Sequence, residues 1–307
     1  MKTPILFLIF NRPNTTSQVF EKIRQAKPHR LYVAGDGPRK SHDMEKEKVK
    51  NVREIATNID WPCEVKTLFR DKNLGCKKAV SESINWFFNY EKQGIILEDD
   101  CVSNPDFFLF CDNLLDRYAD DVRVTSITGN NFQNNRRRGD SSYYFSKYNH
   151  CWGWATWRRA WQFYNGDLDF WPEWSKSEDW LDKIPDKVER IYWEDIFNKV
   201  YEKKINSWAY PWIGSIWYHG GLTITPNVNL VSNIGFDNNA LHTILKDNRF
   251  SNLPTNNLET IKHPKKIERN IDADKWVFNH HYDGKNLRFP RSLIMSVLRL
   301  IKSFFLN

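Results

Sequence analysis

Apolar and polar positions follow two different periods along this chain. Short apolar runs at 5–10, 31–34 and 95–97, with the mixed stretch 64–69, read as strands, and the segments between them carry apolar residues at helical spacing. The latter predict helices over about 15–26, 41–58 and 76–89. Alternation of this kind predicts an α/β fold with a mostly parallel central sheet flanked by helices, in the Rossmann-like manner. The second half is less regular. Strands are expected at 123–128 and 142–145, helices at 156–163 and 189–203, and a late strand pair at 222–225 and 230–231. From residue 249 an Asn-, Pro- and Lys-rich stretch reads as a linker to 285, and 286–307 reads as a basic amphipathic tail.

Ligands of parallel sheets sit at the carboxyl ends of the strands. Three motifs fall there: Asn11-Arg12-Pro13 after the first strand, Gly35-Asp36-Gly37-Pro38 after the second, and Glu98-Asp99-Asp100 after the fourth. Three carboxylates closing a buried strand repel one another and lose hydration, so the cluster calls for a cation. Oxygen ligands suit Mg²⁺ or Mn²⁺ bridging to a diphosphate. A solvated acidic turn is the plain alternative for such a tripeptide. The strand before it and Pro105, placed to open a helix after it, favour a built site. Asp36, between glycines, is a candidate acceptor for a nucleobase or ribose, and Arg12 a candidate partner for a phosphate or base edge. Neither a GxxxxGK[ST] phosphate loop nor a GxGxxG turn occurs at a strand-to-helix junction.

Composition refines this picture. The chain has 307 residues, 40% apolar and 27% charged, and its net charge of +7 would suit nucleic acid, an anionic membrane or an anionic substrate. No nucleic-acid motif accompanies that charge, whereas Arg288, Arg291, Arg299 and Lys302 flank Leu293, Ile294, Leu298, Ile301 and Phe304 in the pattern of a helix lying at a membrane interface. Five cysteines without a CxxC pair argue against a disulfide framework, and with no long apolar segment the expected location is the cytoplasm, peripheral to the inner membrane face. Fourteen Trp, twelve Tyr and twenty Phe suit either sugar stacking or core filling.

The order Phe10-Asn11-Arg12-Pro13, Gly35-Asp36-Gly37, Asn73-Leu74-Gly75 opening a helix, and Leu97-Glu98-Asp99-Asp100 running to Pro105-Asp106-Phe107-Phe108 resembles the GT-A nucleotide-sugar glycosyltransferases. Within that class it is similar to the N-acetylglucosaminyltransferase I group and to bacterial haemolytic-protein-like sugar transferases. Trp152-Gly153-Trp154-Ala155-Thr156-Trp157 resembles the family's Gly-Trp segment beside the acceptor site, and the likeness extends over 4–243. It implies a GT-A domain over 1–248, with a nucleotide-sugar half at 1–100 and an acceptor-side half at 101–248. It further implies metal-dependent, inverting transfer from a UDP-sugar to a hydroxyl of a glycan or glycolipid precursor in bacterial surface polysaccharide synthesis. On this likeness Asp100 binds Mn²⁺ or Mg²⁺, Glu98 and Asp99 place the sugar and ribose, Asp36 and Arg12 hold the uracil end, and His242 meets the metal or diphosphate.

Inverting transfer also needs a base for the acceptor hydroxyl. Spacing to the late strand aligns Trp208-Ala209 with the family's Trp-Asp base motif, and Ala209 cannot accept a proton. The remaining candidates are Glu194 and Asp195 in Tyr192-Trp193-Glu194-Asp195, another acid such as Asp237, or no base at all in a catalytically silent carbohydrate-binding or scaffold protein. An ordinary solvated helix face is the plain reading of Glu194-Asp195. Nucleotidyl transfer is a rival enzymatic class, but the early glycine-rich loop and Lys it would call for are not found.

Overall fold

The computed structural model describes residues 1–40, 42, 44–236 and 250–291. Its first part alternates strictly: β1 (Ile5–Ile9), α1 (Pro13–Ala26), β2 (Arg30–Gly35), α2 (Glu45–Thr57), β3 (Glu64–Phe69), α3 (Cys76–Tyr90) and β4 (Gln93–Glu98). There follow β5 (Cys101–Ser103), α4 (Pro105–Arg117), β6 (Val124–Thr128), β7 (Tyr143–Ser146) and β8 (Trp154–Trp157). The helices α5 (Arg158–Trp161), α6 (Trp171–Trp174), α7 (Glu178–Lys183), α8 (Lys187–Tyr201) and α9 (Ala209–Tyr218) lead to β9 (Leu222–Pro226), β10 (Val231–Asn233) and α10 (Ile271–His280).

Eight strands form one sheet in the order β3-β2-β1-β4-β8-β6-β9-β7, and β5 pairs with β10 in a separate ribbon. The four strands β3, β2, β1 and β4 run parallel, while β8 is antiparallel to both β4 and β6. Because β2 and β3 lie on one side of β1 and β4 on the other, the chain order reverses between β1 and β4. In such sheets that reversal opens a crevice at the carboxyl ends of the two strands.

Strand alternation divides the apolar residues between two cores. Ile5, Phe7 and Ile9 of β1 join Val19, Phe20 and Ile23 of α1 and Leu114 of α4 on one face. Leu6 and Leu8 join Ile84 and Phe87 of α3, with α8, α9 and α10, on the other. Of the fourteen Trp only Trp86, Trp152 and Trp276 are not buried, so the aromatic load chiefly fills the core. The predicted helix start at Pro105 is present, with Asn104 capping through a 3.0 Å bond from the Asp106 N–H.

Several elements differ from the sequence reading. Residues 154–157, half of which fall in the predicted helix 156–163, form the strand that joins β4 to β6, with Trp154 facing one core and Ala155 and Trp157 the other. Helix α9 is apolar almost all round, with Pro211 to Trp217 buried, and so lacks the one-sided pattern that marks a surface helix. The late strands do not pair with each other: β9 lies between β6 and β7, and β10 pairs with β5. Within 249–285, read as linker, α10 buries Ala273, Val277 and Phe278, and the Asn270 N–H bonds the Phe145 carbonyl at 2.8 Å. This segment is docked on the sheet. The tail is described only as far as Arg291; 292–307, His242 and Asp237 lie outside the described residues. Among the described residues no helix is long and apolar enough to cross a membrane.

Candidate functional site

The crevice between β1 and β4 is filled by an ion-paired cluster. Arg12 leaves β1 just ahead of α1, where Pro13 fixes the first helical turn, and its side chain crosses to the turn after β4. Its Nη2 donates to Asp99 Oδ1 at 2.5 Å, and its Nη1 lies 3.0 Å from Asp100 Oδ2. Asp99, almost wholly buried, also accepts the Phe10 N–H at 3.1 Å, which ties the ends of the two strands together. Burial would lower the Arg12 pKa, but Asp99 and Asp100 beside it hold it above its ordinary value. Burial and the charge of Asp100 push Glu98 up, against the pull of Arg12. Asp99 is likewise raised by burial, partly offset by Arg12. Arg12 thus supplies one positive charge to the cluster from within the chain. Arg12 faces the acids, not outward.

Asp36 follows β2 and closes a clamp. Its carboxylate accepts the N–H groups of Gly37 at 2.9 Å, Leu74 at 3.0 Å and Gly75 at 3.1 Å, and Asn73 Nδ2 donates to the Gly37 carbonyl at 2.9 Å. These bonds pin the turn after β2 to the loop that begins α3. Burial outweighs them and leaves the Asp36 pKa raised. At Gly37 an added Cβ would lie 2.5 Å from the Lys72 backbone, so only glycine admits this approach. Cys76, at the start of α3, is pushed up to about 12 by burial and by Glu98, Asp36 and Asp100, which sets that helix start beside the acids.

A backbone strap covers the cluster from the β10 side. The Ile234 N–H bonds the Asp100 carbonyl at 2.9 Å, and a Cβ on Gly235 would fall 2.1 Å from Asp100 Oδ2 and 2.7 Å from Arg12 Nη1. Sequence reasoning passed over this glycine. The signal was a glycine two residues beyond a short strand, Val231–Asn233, whose partner strand continues the acidic turn. Beyond it Phe236 meets the half-exposed Trp152 at 5.4 Å between ring centres.

The candidate bases lie elsewhere on α8. Glu194 accepts Trp180 Nε1 at 2.9 Å on the α7 side, and exposed Asp195 pairs with Lys199 at 2.6 Å along the helix. Ala209 is the first residue of α9; just ahead of it Asn206 approaches the Gly75 position, and Trp208 stacks on Trp154 at 5.6 Å. Arg12, Asp36, Glu98, Asp99 and Asp100 thus all stand at the carboxyl ends of the parallel strands. Glu194 and Asp195 do not join them.

Among the described residues no three His, Cys, Asp or Glu side chains are disposed to hold one metal ion. The donor set is nevertheless all oxygen, and three carboxylates against one guanidinium leave a surplus of negative charge, which fits a hard divalent cation whose other ligands come from substrate oxygens and water. Asp100, partly exposed, is the carboxylate suited to it.

Fold and site together define a doubly wound α/β protein with an arginine-paired acidic turn in its switch crevice. No family model matches the chain, and no curated protein matches it. Among solved structures it is similar to apo-UDP-glucose pyrophosphorylase, with 10% identity over 74% of this chain and 90% of that chain and a TM-score of 0.38. It is also similar to UDP-glucose pyrophosphorylase complexed with UDP-glucose (10%, 53% and 79%, TM-score 0.33) and to HddC from Yersinia pseudotuberculosis (11%, 56% and 86%, TM-score 0.34).

Proposed function

We propose that this chain is a glycosyltransferase that moves a sugar from a UDP-sugar to a hydroxyl of a glycan or glycolipid precursor, in bacterial surface polysaccharide synthesis. The observation that carries this reading is the convergence of Arg12, Asp99 and Asp100 on the crevice between β1 and β4. A diphosphate lying there would meet the uncapped start of α3, whose N–H groups favour negative charge. Asp100 would hold Mn²⁺ or Mg²⁺, which supplies charge neutralisation to the departing diphosphate. Glu98 would bond a sugar hydroxyl, Asp99 with Arg12 would keep the turn in place, and Asp36 would shape the base end by fixing the α3 loop. In the transfer the acceptor oxygen would bond the anomeric carbon as the bond from that carbon to the diphosphate breaks, the hydroxyl proton passing to water or to the departing diphosphate, and UDP would leave.

The test is UDP release from a panel of UDP-sugars with Mn²⁺, with and without EDTA. Release that needs metal and disappears in Asp100→Ala is expected. Absence of binding to every UDP-sugar in calorimetry would overturn the reading. A second reading, a silent carbohydrate-binding module, is favoured by one observation: Ala209 opens α9 while Glu194 and Asp195 are engaged with Trp180 and Lys199. Donor binding without turnover, and a large gain of rate in Ala209→Asp, would establish it.

A further inference from the structure

We propose that the surface formed by α10, the segment 283–291 and the loop at Arg136 docks on an anionic lipid bilayer. Three observations meet there. First, Trp276 stands half-buried on α10 with the Arg136 guanidinium 3.5 Å from its ring centre, His280 stacked at 3.4 Å and Lys285 Nζ at 5.8 Å. Second, most of the cations here form no ion pair, although exposed Asp272 and Asp283 share the segment. Arg269 and Arg288 are paired, to Asp274 and Asp186, but Arg136, Arg137, Lys275, Lys285 and Arg291 are exposed and form no salt bridge among the described residues. Third, large apolar side chains stand out among them: Phe289 is 82% exposed, Ile271 56% and Leu287 42%.

Charge along the chain points the same way. Residues 262–307 hold ten Lys and Arg against four Asp and Glu, a surplus of six in a chain whose net charge is +7. Cations without acid partners around an aromatic ring, with a phenylalanine, a leucine and an isoleucine exposed on the same segment, match a headgroup layer above acyl chains. The charges meet lipid phosphates and the apolar side chains enter the boundary. Single-stranded nucleic acid also takes cations and rings. Phe289, Leu287 and Ile271 bring no hydrogen-bonding group for a base, and 292–307 continues with apolar residues, Arg299 and Lys302 and no acid, so the lipid surface is the better match.

Flotation of the full chain with vesicles tests it. Binding to phosphatidylcholine vesicles containing phosphatidylglycerol, weak binding to phosphatidylcholine alone, and release by high salt are expected. Arg136→Gln, Arg137→Gln and Lys285→Gln should each lower the partition roughly fivefold. Phe289→Ser should weaken it further and leave the remainder more salt-sensitive. Equal binding to neutral vesicles, or flotation of the combined variant at the wild-type level, would overturn the proposal. So would displacement by a single-stranded polynucleotide at equal charge together with indifference to Phe289→Ser.

Discussion

Arg12 does for Asp99 and Asp100 what a bound cation does at other acidic turns, and it does so from within the chain. Its partners are shielded: the Asp99 side chain is 4% exposed and that of Asp100 13%. Removing the guanidinium therefore strands two carboxylates in a poorly hydrated crevice. Arg12→Ala is expected to cost about 3 kcal/mol in urea unfolding, and Asp99→Asn in the Arg12→Ala background should recover part of the loss. Additive effects would show that the pair is not coupled. His150 makes a second prediction at this scale. Burial, and the neighbouring His281, hold its pKa well below the ordinary 6.5, with Phe132 and Tyr148 packed against its ring. A folded pKa below the unfolded one means that the unfolded chain takes up a proton which the folded chain refuses. The stability contributed by neutral His150 is present above pH 6.5 and is lost as pH falls below it, by at most about 1.4 kcal/mol per pH unit. In His150→Gln, thermal unfolding from pH 7.5 to 5 should lose roughly one proton's worth of that slope; an unchanged slope would assign the acid sensitivity to other groups.

Among elements, the start of α3 depends on a residue outside it. The helix has no side-chain cap of its own, and the N–H groups of Leu74 and Gly75 just before it are taken by Asp36. Asp36→Ala should cost about 2 to 3 kcal/mol, with faster amide exchange confined to the loop and first turn of α3, and Asp36→Asn about half as much. Uniform exchange across the domain would contradict a local clamp. The same clamp shows what the sequence makes legible. The turn Gly35-Asp36-Gly37 and the helix start Asn73-Leu74-Gly75 are both visible as motifs, but nothing in one dimension says that one carboxylate joins them. Three strands of the parallel half, β1, β2 and β4, could be read because each holds a short apolar run, and the half-polar β3 because it falls in the same strand-helix alternation. Strand β8 and helix α9 could not, because a buried segment that is apolar on every side carries neither period. Arg12 stands out in the sequence as a candidate at a strand end, while its direction does not, since a guanidinium beside three acids and one reaching for a phosphate look alike in sequence.

At the scale of the whole molecule, the question is how far the fold depends on the segment after residue 249. Arg269 adds a bridge to β7 beside Phe145, and Asn270 caps α10 while its N–H bonds the Phe145 carbonyl. Asp274, 1% exposed, then accepts from Ser146 Oγ at 2.5 Å and pairs with Arg269, while buried Lys147 meets Glu189 of α8 at 2.6 Å. These charges hold β7, α8 and α10 in one network, and α10 covers the second core with Val277 and Phe278. Asp274→Ala leaves Arg269 without its acid and Lys147 with only Glu189, so a loss of about 3 to 5 kcal/mol is expected. Shortening the chain to 1–261 removes the network and uncovers the core together. That chain should unfold without a sharp transition in calorimetry and bind a hydrophobic dye at neutral pH. If it instead unfolds cooperatively at the urea midpoint of the full chain, the residues after 261 are an appendage, and α10 merely rests on a core that is complete without it.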